Sequence, residues 1–562
     1  MGTIAMEVAM HSHLNQEAGA PKSPNHEDTE KGSLHNGFSS VEHGEVTNDA
    51  LREMHPTFTP RQVDIISLGS NTGSAIFIGL GKGLSSAGPA GLFLAYLIVC
   101  VGVWANVQNL SEMTIAFPGS SNFINYTMRW VDPSLAFGAG VAEWLGWTAT
   151  FAAEASFFVI LIDFWAQGAI PQAALLSIFL VLCLTIFLLP TKYFGWVQYI
   201  GSIVKIILFL LLLVLSIALI GGAGPNGRVH TGEYWRELPA FKNGFAGFSN
   251  ASLLAIWAVG DQVFIGLLGS EAQSPRFSMA RAANLVPGRL ALMYLASSIM
   301  VGLLVPGNDD RLLSGSGATT SPFVIAVQDA GIAGLPHLIN AGIVVGIIAI
   351  ALESIFLPSR VLRTMALERL LPISLAKLDH RGRPRWTLLI TAAAATFLTY
   401  LALNNGGAEA LNWFISITST SYFINWAVIA LASMRFRAAV TAQKLPILDE
   451  PYAWKSKLYP LCPLISLTVS IFLLACCLAA AIQPLEGDGF TAYNFFIYMV
   501  GLIIIVGAGV VHKLVSRTKW QDPAAADCQS GRHELKAEEL RLLDEYYKKS
   551  RARRVASYFR VW

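Results

Sequence analysis

The sequence predicts an all-α integral membrane protein with twelve transmembrane helices. Three observations lead to this fold class: a shortage of charged residues, recurring apolar stretches of membrane-spanning length, and an uneven distribution of basic residues between the loops. Of the 562 residues, 14% are charged and 54% are hydrophobic, and the mean hydropathy is +0.51. Soluble chains carry about 25% charged residues, so this chain lacks the polar surface that several soluble domains would need.

The apolar stretches begin near residue 62, and each is long enough to cross a hydrocarbon core about 30 Å thick. Residues 1–57 are polar and lack helical or strand periodicity, which predicts a disordered N-terminal tail. A second tail, 513–562, leaves 58–512 as the membrane domain. We place the twelve spans near residues 62–83, 88–110, 135–162, 171–189, 196–221, 246–268, 289–306, 337–358, 386–404, 411–434, 461–483 and 492–512.

Basic residues concentrate in alternate loops, and this sets the predicted orientation. With a cytoplasmic N-terminus, the inner loops hold 17 Lys and Arg residues and the outer loops hold 5. Cytoplasmic loops of membrane proteins carry the excess of basic residues, so we expect both tails to be cytoplasmic. The first 60 residues lack the apolar core of a signal peptide, and the first span is expected to act as its own targeting signal.

The remaining composition argues against several classes of function. The 39 basic and 37 acidic residues give a net charge of +2, which provides no basic excess for binding nucleic acid. The six cysteines show neither metal-ligand nor disulfide spacing. The loops contain no Ser-His-Asp, metal-binding or phosphate-loop constellation, so we expect no enzyme activity, no cofactor and no metal.

The C-terminal tail contains the charged, helix-favouring segment HELKAEELRLLDEYYKKSRARR. Two interpretations remain open: an amphipathic helix attracted to anionic lipid of the inner leaflet, or a solvated tail. The first depends on apolar residues on one helical face and on the basic residues around them, namely Leu535, Leu540, Leu542, Leu543, Lys548, Lys549, Arg551, Arg553 and Arg554.

Ionisable residues inside the predicted spans carry the strongest functional signal, because each charge costs about 2.5–3.5 kcal/mol even on the most lenient scale. Together they indicate a polar pathway through the helix bundle. For a single residue, the alternative is a buried ion pair or a helix-end group that reaches the headgroups, and it applies at least as well to Glu112, Glu143 and Asp163. The full set is Glu112, Glu143, Glu154, Asp163, Lys205, Asp261 and Glu353.

The first span contains a run of glycines and small hydroxyl residues, GSNTGSAIFIGLGKG, from Gly69 to Gly83. Such a run favours a break in the helix, which is tolerated where the freed backbone groups line a cavity. The half-helix after a break presents N–H groups and a positive dipole end to a carboxylate. The alternative is close helix packing through small residues. Gly260 beside Asp261, in WAVGDQVFIG, is a candidate second break in the sixth span.

A series of motifs extends in order from about Pro56 to Trp520. They include FTPRQVDIISLG at 58–69, GPAGLFLAY at 88–96, LSEM at 110–113, VDPSLAFG at 131–138, YWRELPAF at 234–241, SEAQSPR at 270–276, LLVPGNDDRL at 303–312 and SPFVIAVQDAGI at 321–332. In their order and spacing, the chain resembles fungal and bacterial amino-acid permeases of the amino acid–polyamine–organocation superfamily, in particular the yeast amino acid transporter group.

The resemblance implies two inverted repeats of five helices, spans 1–5 and 6–10, followed by two peripheral helices. It also implies a mid-membrane substrate site between broken first and sixth spans, reached alternately from each side, and coupling to protons. Carried onto this chain, it assigns the substrate carboxylate to backbone groups of the first break, at Gly69, Ser70, Asn71, Gly73 and Ser74.

By the same resemblance, Glu154 and Lys205 would be the titratable pair that senses protons. Backbone carbonyls at Gly260, helped by Asp261, would face the substrate ammonium. The lining of the site departs from the family pattern. Ser70 and Ala75 stand where glycine is usual, no glutamate follows Gly260, Leu352 and Glu353 replace an Asn-Ser pair, and Trp196 and Gln198 replace two glutamates.

We therefore expect a multi-pass secondary active transporter of the plasma membrane that imports an amino acid with a proton. Its partners would be an amino acid or related small molecule, protons and membrane lipid, but no nucleic acid. Two alternatives remain open. One is a carrier of a cationic or amino-acid-derived metabolite, such as a polyamine, choline or a pathway product, favoured if Asp261 and Glu353 face the cavity. The other is a nutrient sensor that binds its ligand without transporting it.

Overall fold

The structure is a computed structural model. It describes residues 69, 72–118, 122–188, 191–261, 275–312, 321–379, 382–403, 407–485, 489–532 and 537–550. Regular secondary structure in these ranges is helical throughout. The predicted disordered tail, 1–57, lies outside the described residues, as do Ser70, Asn71 and the beginning of the first predicted span.

We number the α-helices of the described ranges in chain order. They are α1 (Ala75–Ala116), α2 (Phe123–Trp130), α3 (Pro133–Ala166), α4 (Gln172–Leu188), α5 (Thr191–Ile220), α6 (Glu233–Glu237), α7 (Gly244–Val259), α8 (Pro275–Leu304), α9 (Pro322–Asp329), α10 (Leu335–Leu367), α11 (Arg385–Leu401), α12 (Gly407–Ala442), α13 (Leu461–Ile482), α14 (Ala492–Ser516) and α15 (Ala537–Lys548).

Helix α1 contains parts of two predicted spans. It opens with a π-helical turn, Ala75–Gly79, and its 42 residues correspond to about twice the thickness of a hydrocarbon core. The two halves meet at Gly88, where a φ of 74° interrupts the helix before Pro89. A Cβ at Gly88 would also lie 2.6 Å from the carbonyl oxygen of Pro239. Glycine is therefore required here both by the backbone conformation and by the close neighbour.

Eight helices of the described ranges, with α1 counted once, are long and apolar enough to cross a membrane. They are α1, α3, α5, α8, α10, α12, α13 and α14. Helices α4 and α7 are apolar but shorter, and α7 ends at Val259, within the sixth predicted span. This composition is that of a multi-pass integral membrane protein. Helices α3 and α12 are mostly buried, whereas only a minority of residues in α5 and α14 are buried, so the former lie at the centre of the bundle.

Small residues allow α3 to pack closely against its neighbours. At Gly146, the hydroxyl group of Thr418 on α12 donates to the glycine carbonyl oxygen at 2.9 Å, and a Cβ would lie 2.8 Å from Cβ of Ser421. At Gly140, a Cβ would lie 2.5 Å from Sδ of Met365 on α10. Without an aqueous driving force between helices, such close backbone approach is a main source of helix association in a membrane.

Helix boundaries differ from the predicted spans where a helix continues past its apolar stretch. Helix α8 begins at Pro275, well before the stretch predicted near 289–306, and α12 continues to Ala442. Hydropathy does not detect such polar turns. Helix α2 was not predicted either, although Asn122 forms its N-cap and accepts a hydrogen bond from the Ile124 N–H at 3.0 Å.

Residues 520–532, which we call the C-terminal strap, lie against the end of the bundle that carries α2. The Arg129 guanidinium donates to the carbonyl oxygen of Ser530 at 2.8 Å. The Trp130 indole N–H donates to the carbonyl oxygen of Asp527 at 3.1 Å. This part of the predicted C-terminal tail is therefore attached to the membrane domain.

The strap also contacts the end of α12, and helix α15 follows it. The amide of Gln443 donates to the carbonyl oxygens of Pro523 at 2.9 Å and Ala526 at 2.7 Å. In α15, Leu543 is buried and the ring of Tyr547 stacks on that of Tyr452 at 5.1 Å. Part of the apolar face of α15 thus packs against protein, which neither interpretation of this segment anticipated. Leu535 and the basic residues beyond 550 lie outside the described residues.

Candidate functional site

The glycine-rich motif of the first span forms the beginning of α1. Thr72 and Gly73 are not helical, and the first helical carbonyl acceptor is that of Gly73, which receives the Phe77 N–H at 3.2 Å. The N–H groups of Gly73 and Ser74 have no backbone acceptor among the described residues. A helix thus begins in the middle of the predicted first span, where the first N–H groups have no acceptor within the helix itself.

Gly69 and Gly73 lie directly against two other helices. A Cβ on Gly69 would be 2.8 Å from Cα of Ser202 on α5, and a Cβ on Gly73 would overlap the Ile350 side chain on α10. Close packing through small residues, the alternative interpretation of this motif, therefore applies at both positions. Close packing at these glycines is compatible with a helix that begins at Ala75, because the same small residues can allow close contact and a break in the span.

Glu154 connects α3 to the beginning of α1. The hydroxyl group of Ser74 donates to Glu154 Oε1 at 2.5 Å. Only 1% of Glu154 is exposed, and its second carboxylate oxygen has no hydrogen-bond partner in the part of the chain that the structure describes. A buried carboxyl group with one unsatisfied oxygen is costly and marks a candidate functional position.

Lys205 on α5 is fully buried, and its ammonium group has no hydrogen-bond partner within the described ranges. Its aliphatic stem packs against Gly346 of α10, where a Cβ would lie 3.3 Å from Lys205 Cγ. The Lys205 charge interacts electrostatically with both Glu154 and Glu353. The structure therefore places the predicted pair within electrostatic range of each other and adds a second carboxyl group.

Glu353 lies on the face of α10 that also carries Gly346 and Ile350, the residues that contact Lys205 and Gly73. It is 4% exposed and interacts electrostatically with Glu154 as well as with Lys205. We call Glu154, Lys205 and Glu353 the buried charge cluster. Its members come from three helices, α3, α10 and α5, that surround the beginning of α1.

The second candidate break lies at the end of α7, where Gly260 is the C-cap. Its carbonyl oxygen accepts the Trp426 indole N–H at 2.9 Å, and a Cβ on Gly260 would lie 2.6 Å from the Tyr422 ring. Asp261 is half-buried and interacts electrostatically with Tyr422. The following residues, 262–274, lie outside the described part of the chain.

Two tyrosines relate this second break to the buried charge cluster. Tyr422 on α12 interacts electrostatically with Glu154 as well as with Asp261. Tyr294 on α8 donates its hydroxyl to the carbonyl oxygen of Ala258 at 3.2 Å and also interacts with Glu154. Neither residue is evident from the sequence, because a tyrosine in an apolar span carries no signal that separates it from ordinary core aromatics.

Glu112 is part of a buried ion pair. Its carboxylate accepts two hydrogen bonds from the Arg437 guanidinium, at 2.6 and 2.7 Å, and a third from the Ser456 backbone N–H at 2.8 Å. Both oxygens are therefore occupied, and the residue joins the end of α1 to the end of α12.

Glu143 and Asp163 have local structural partners as well. Glu143 accepts the Trp147 indole N–H at 3.0 Å and the Asn425 amide at 2.7 Å. Asp163 accepts the backbone N–H of Gly168 at 2.7 Å at the end of α3. These contacts fit the structural interpretation of both residues, in contrast to the cluster around Lys205.

Comparison with known families agrees with this geometry. A family model described as amino acid permease matches residues 62–523, a range that contains every helix of the candidate site. The chain belongs to the amino acid permease family. The predicted resemblance is thereby confirmed, together with the prediction of a membrane-embedded permease with transmembrane helices. The members of this family are transporters rather than enzymes, and membership supports amino-acid transport.

Individual relatives of this permease come from two yeasts. Amino-acid permease GAP5 of Candida albicans is 30% identical over 86% of this chain and 77% of its own length. General amino-acid permease GAP1 of Saccharomyces cerevisiae is 28% identical over 89% of this chain and 84% of its own length. S-adenosylmethionine permease GAP4 of Candida albicans is 31% identical over 68% of this chain, which covers 63% of that protein.

Proposed function

We propose that this permease imports an amino acid, or a compound derived from one, together with a proton by alternating access. The observation that carries the proposal is the buried charge cluster beside the beginning of α1. It places the start of a helix beside three buried ionisable groups, and the Lys205 ammonium has no hydrogen-bond partner within the described ranges, unlike the fully satisfied Glu112 carboxylate. The names of the relatives, which include general and S-adenosylmethionine permeases, support a substrate of this class.

The substrate would bind between the two candidate breaks. Its carboxylate would accept hydrogen bonds from the N–H groups at the beginning of α1, including Gly73 and Ser74 and extending to Gly69, Ser70 and Asn71. Its ammonium group would face the carbonyl groups near Gly260, with Asp261 supplying a negative charge. The electrostatic interaction of Tyr422 with both Asp261 and Glu154 supports a single interior site.

A proton would be carried by the buried charge cluster. When all three groups are ionised, two carboxylates face one ammonium, and the repulsion between two buried carboxylates favours the binding of a proton to one of them. Binding one proton to a carboxyl group makes the cluster neutral. Protonation of Glu154 would also change its hydrogen bond with Ser74, and so would couple proton binding to the substrate-binding end of α1.

The available driving force is sufficient for accumulation. The membrane potential supplies about 2.3 kcal/mol per charge for each 100 mV, and one pH unit supplies about 1.4 kcal/mol. Together they allow an accumulation ratio of roughly several hundredfold for one proton per substrate.

We further propose twelve membrane crossings, with two inverted five-helix repeats and both termini in the cytoplasm. The length and kink of α1 support its division into two crossings, and the end of α7 at Val259 supports an interruption of the sixth. The distribution of 17 inner and 5 outer basic residues supports the orientation. We also propose that the protein acts at the plasma membrane.

The experiment that tests the proposal compares wild-type protein with Glu154→Gln in proteoliposomes. Radiolabelled amino acids are supplied with an inward proton gradient, and substrate exchange is measured separately without a gradient. We expect the variant to lose gradient-driven accumulation, with its ratio falling to about one because no proton is carried, while exchange continues. Glu143→Gln is the matched control, since Glu143 is a buried carboxylate of the same helix whose partners are neutral side chains.

Unchanged proton-driven accumulation in Glu154→Gln would contradict the assignment of the proton to this cluster. Substrate binding without exchange or accumulation in the wild-type protein would instead indicate a nutrient sensor. Competition by arginine or choline, but not by neutral amino acids, would indicate a carrier of cationic metabolites.

A further inference from the structure

A groove opens at one end of the bundle, where the last turns of α4 and α10 meet the first turns of α5 and α11. Three phenylalanines, Phe187, Phe194 and Phe356, form its apolar side, and Arg360 and Arg383 form its basic side. The rings of Phe194 and Phe356 stack at 4.3 Å with an angle of 10° between their planes. The groove thus has a fixed aromatic floor that joins α5 to α10.

Both arginines are held in place by the walls of the groove. The Arg360 guanidinium lies 3.1 Å from the centre of the Phe356 ring and donates to the Phe356 carbonyl oxygen at 3.1 Å. Arg383 donates to the carbonyl oxygen of Phe187 at 3.1 Å and pairs with Asp379 at 2.9 Å. Guanidinium groups fixed in this way are ordered donors for an anionic oxygen.

The chain segment that contributes Arg360 and Arg383 to the groove is rich in basic residues. Between residues 359 and 386 the chain has seven basic residues and two acidic ones, Glu368 and Asp379. Even if each acid neutralises one basic residue, this segment retains a positive excess. A negatively charged ligand is therefore favoured over a neutral or positive one.

The flanks of the groove are suited to lipid rather than to water. On α5, Trp196 is 48% exposed and Ile200 is 56% exposed, and on α11 Trp386 and Leu389 are 52% and 58% exposed. Tryptophan is enriched at the level of the headgroups, where its ring is partly in lipid and its N–H reaches water. Apolar side chains continue from this level along both helices.

We propose that the groove binds an anionic phospholipid. Its phosphate group would lie at Arg360 and Arg383, and one acyl chain would run over the apolar flank between α5 and α11. Basic pockets between transmembrane helices on the cytoplasmic side bind such headgroups, and the predicted orientation places the groove on that side. Both α5 and α10 contribute residues to this groove and to the buried charge cluster, and Glu353 lies about one turn before Phe356 on α10.

The test uses the purified full-length protein and native mass spectrometry. Phosphatidylserine and phosphatidylcholine of the same acyl composition are compared as probes for wild type, Arg360→Gln and Arg360→Lys. We expect the wild type to retain phosphatidylserine in preference to phosphatidylcholine, and Arg360→Gln to bind phosphatidylserine about fivefold more weakly. Arg360→Lys should keep part of the preference, because it keeps the charge but not the planar donor group.

The matched control is Arg236→Gln on α6, an arginine whose guanidinium donates to Thr231 in a loop at the other end of the bundle. It should leave lipid preference unchanged. Equal binding of the two lipids by the wild type, or an unchanged preference in Arg360→Gln, would overturn the proposal. If Arg360→Gln does not fold, a photoactivatable phosphatidylserine decides the matter in the wild type. Crosslinks are expected in segments 186–200 and 356–389, and crosslinks only elsewhere would overturn the site.

A transport measurement extends the test and rests on the proposed function. Substrate exchange should be faster in liposomes that contain phosphatidylserine than in phosphatidylcholine alone, and this difference should disappear in Arg360→Gln. The binding measurement does not depend on transport. Absence of all flux with retained lipid binding would therefore contradict the proposed function and leave the lipid site standing, whereas flux without lipid preference would contradict the lipid site alone.

Discussion

Ser74 and Glu154 are joined by a hydrogen bond of 2.5 Å, although 80 residues separate them in the chain. Ser74 directly precedes the first turn of α1, and Glu154 lies in the buried centre of α3. The contact therefore connects the backbone groups assigned to the substrate with the carboxyl group assigned to the proton. In the proposed mechanism, it is the direct physical link between the two.

Removing the Ser74 hydroxyl should impair transport. In Ser74→Ala, Glu154 loses its described hydrogen bond, and a bond to a charged group contributes about 1.5–3 kcal/mol. We expect proton-driven uptake to fall about tenfold or more, and Ser74→Thr to recover part of it because it retains the hydroxyl. Uptake rates in proteoliposomes measure both. The control is Ser156→Ala, since Ser156 is a buried serine of α3 that donates only to its own helix at Ala152. Equal losses in Ser74→Ala and Ser156→Ala would contradict the coupling.

Breaking the Glu112–Arg437 pair should mainly reduce stability. Glu112→Gln leaves the largely buried Arg437 charge without its carboxylate, and loss of one partner of a buried ion pair costs about 3–5 kcal/mol. Thermal unfolding of the purified protein should show a clear decrease, and Arg437→Leu added to Glu112→Gln should recover part of it. Asp449→Asn, which breaks a pair between exposed residues, should change stability by less than about 1 kcal/mol. A smaller effect for Glu112→Gln than for Asp449→Asn would refute this prediction.

A pH-dependent contribution to stability is expected at the loop after α8. Arg311 donates to Asp309 at 2.7 Å and to Asp329 at 2.8 Å. The hydrogen bonds from Arg311 lower the pKa of Asp309 from its ordinary value of 3.8. Because the folded state favours the ionised carboxylate, the pair stabilises the protein above this value and loses its effect as the pH falls through the lowered pKa.

The measurement for this loop is the melting temperature of wild type and Arg311→Gln between pH 3 and pH 7. The difference should be largest above about pH 4 and should shrink below the ordinary pKa of Asp309. Since Arg311 is 37% exposed, the difference should be modest. Lys455→Gln, at an exposed ion pair, is the comparison variant. A difference that grows toward low pH would have the wrong sign.

Much of the fold followed from the sequence because membrane helices are encoded locally. An apolar stretch of sufficient length predicts a crossing without knowledge of its neighbours, and most described helices lie close to the predicted ranges. Helix α2 was missed because its eight residues mix polar and apolar side chains, so their average hydropathy does not stand out. The ends of α8 and α12 were missed because helical structure continues where apolar composition stops.

The candidate site was less accessible from sequence because it is formed by contacts between distant helices. Glu154 and Lys205 could be selected as costly charges, and their assignment came from the family resemblance. The contribution of Glu353 depends on the face of α10 that meets α5, which is fixed by the packing of Gly346 on Lys205. Similarly, Tyr422 becomes a candidate only once the fold brings it into electrostatic interaction with both Glu154 and Asp261.

The attachment of the C-terminal strap has a consequence for biosynthesis. Arg129 and its acceptor Ser530 are separated by 401 residues, so α2 leaves the ribosome long before the segment that covers it. Until residue 530 has been translated, Trp130 lacks the carbonyl partner it has in the folded protein. The incomplete chain must therefore hold α2 in place without these two contacts, through packing such as that of Trp130 on Phe117 and Phe436.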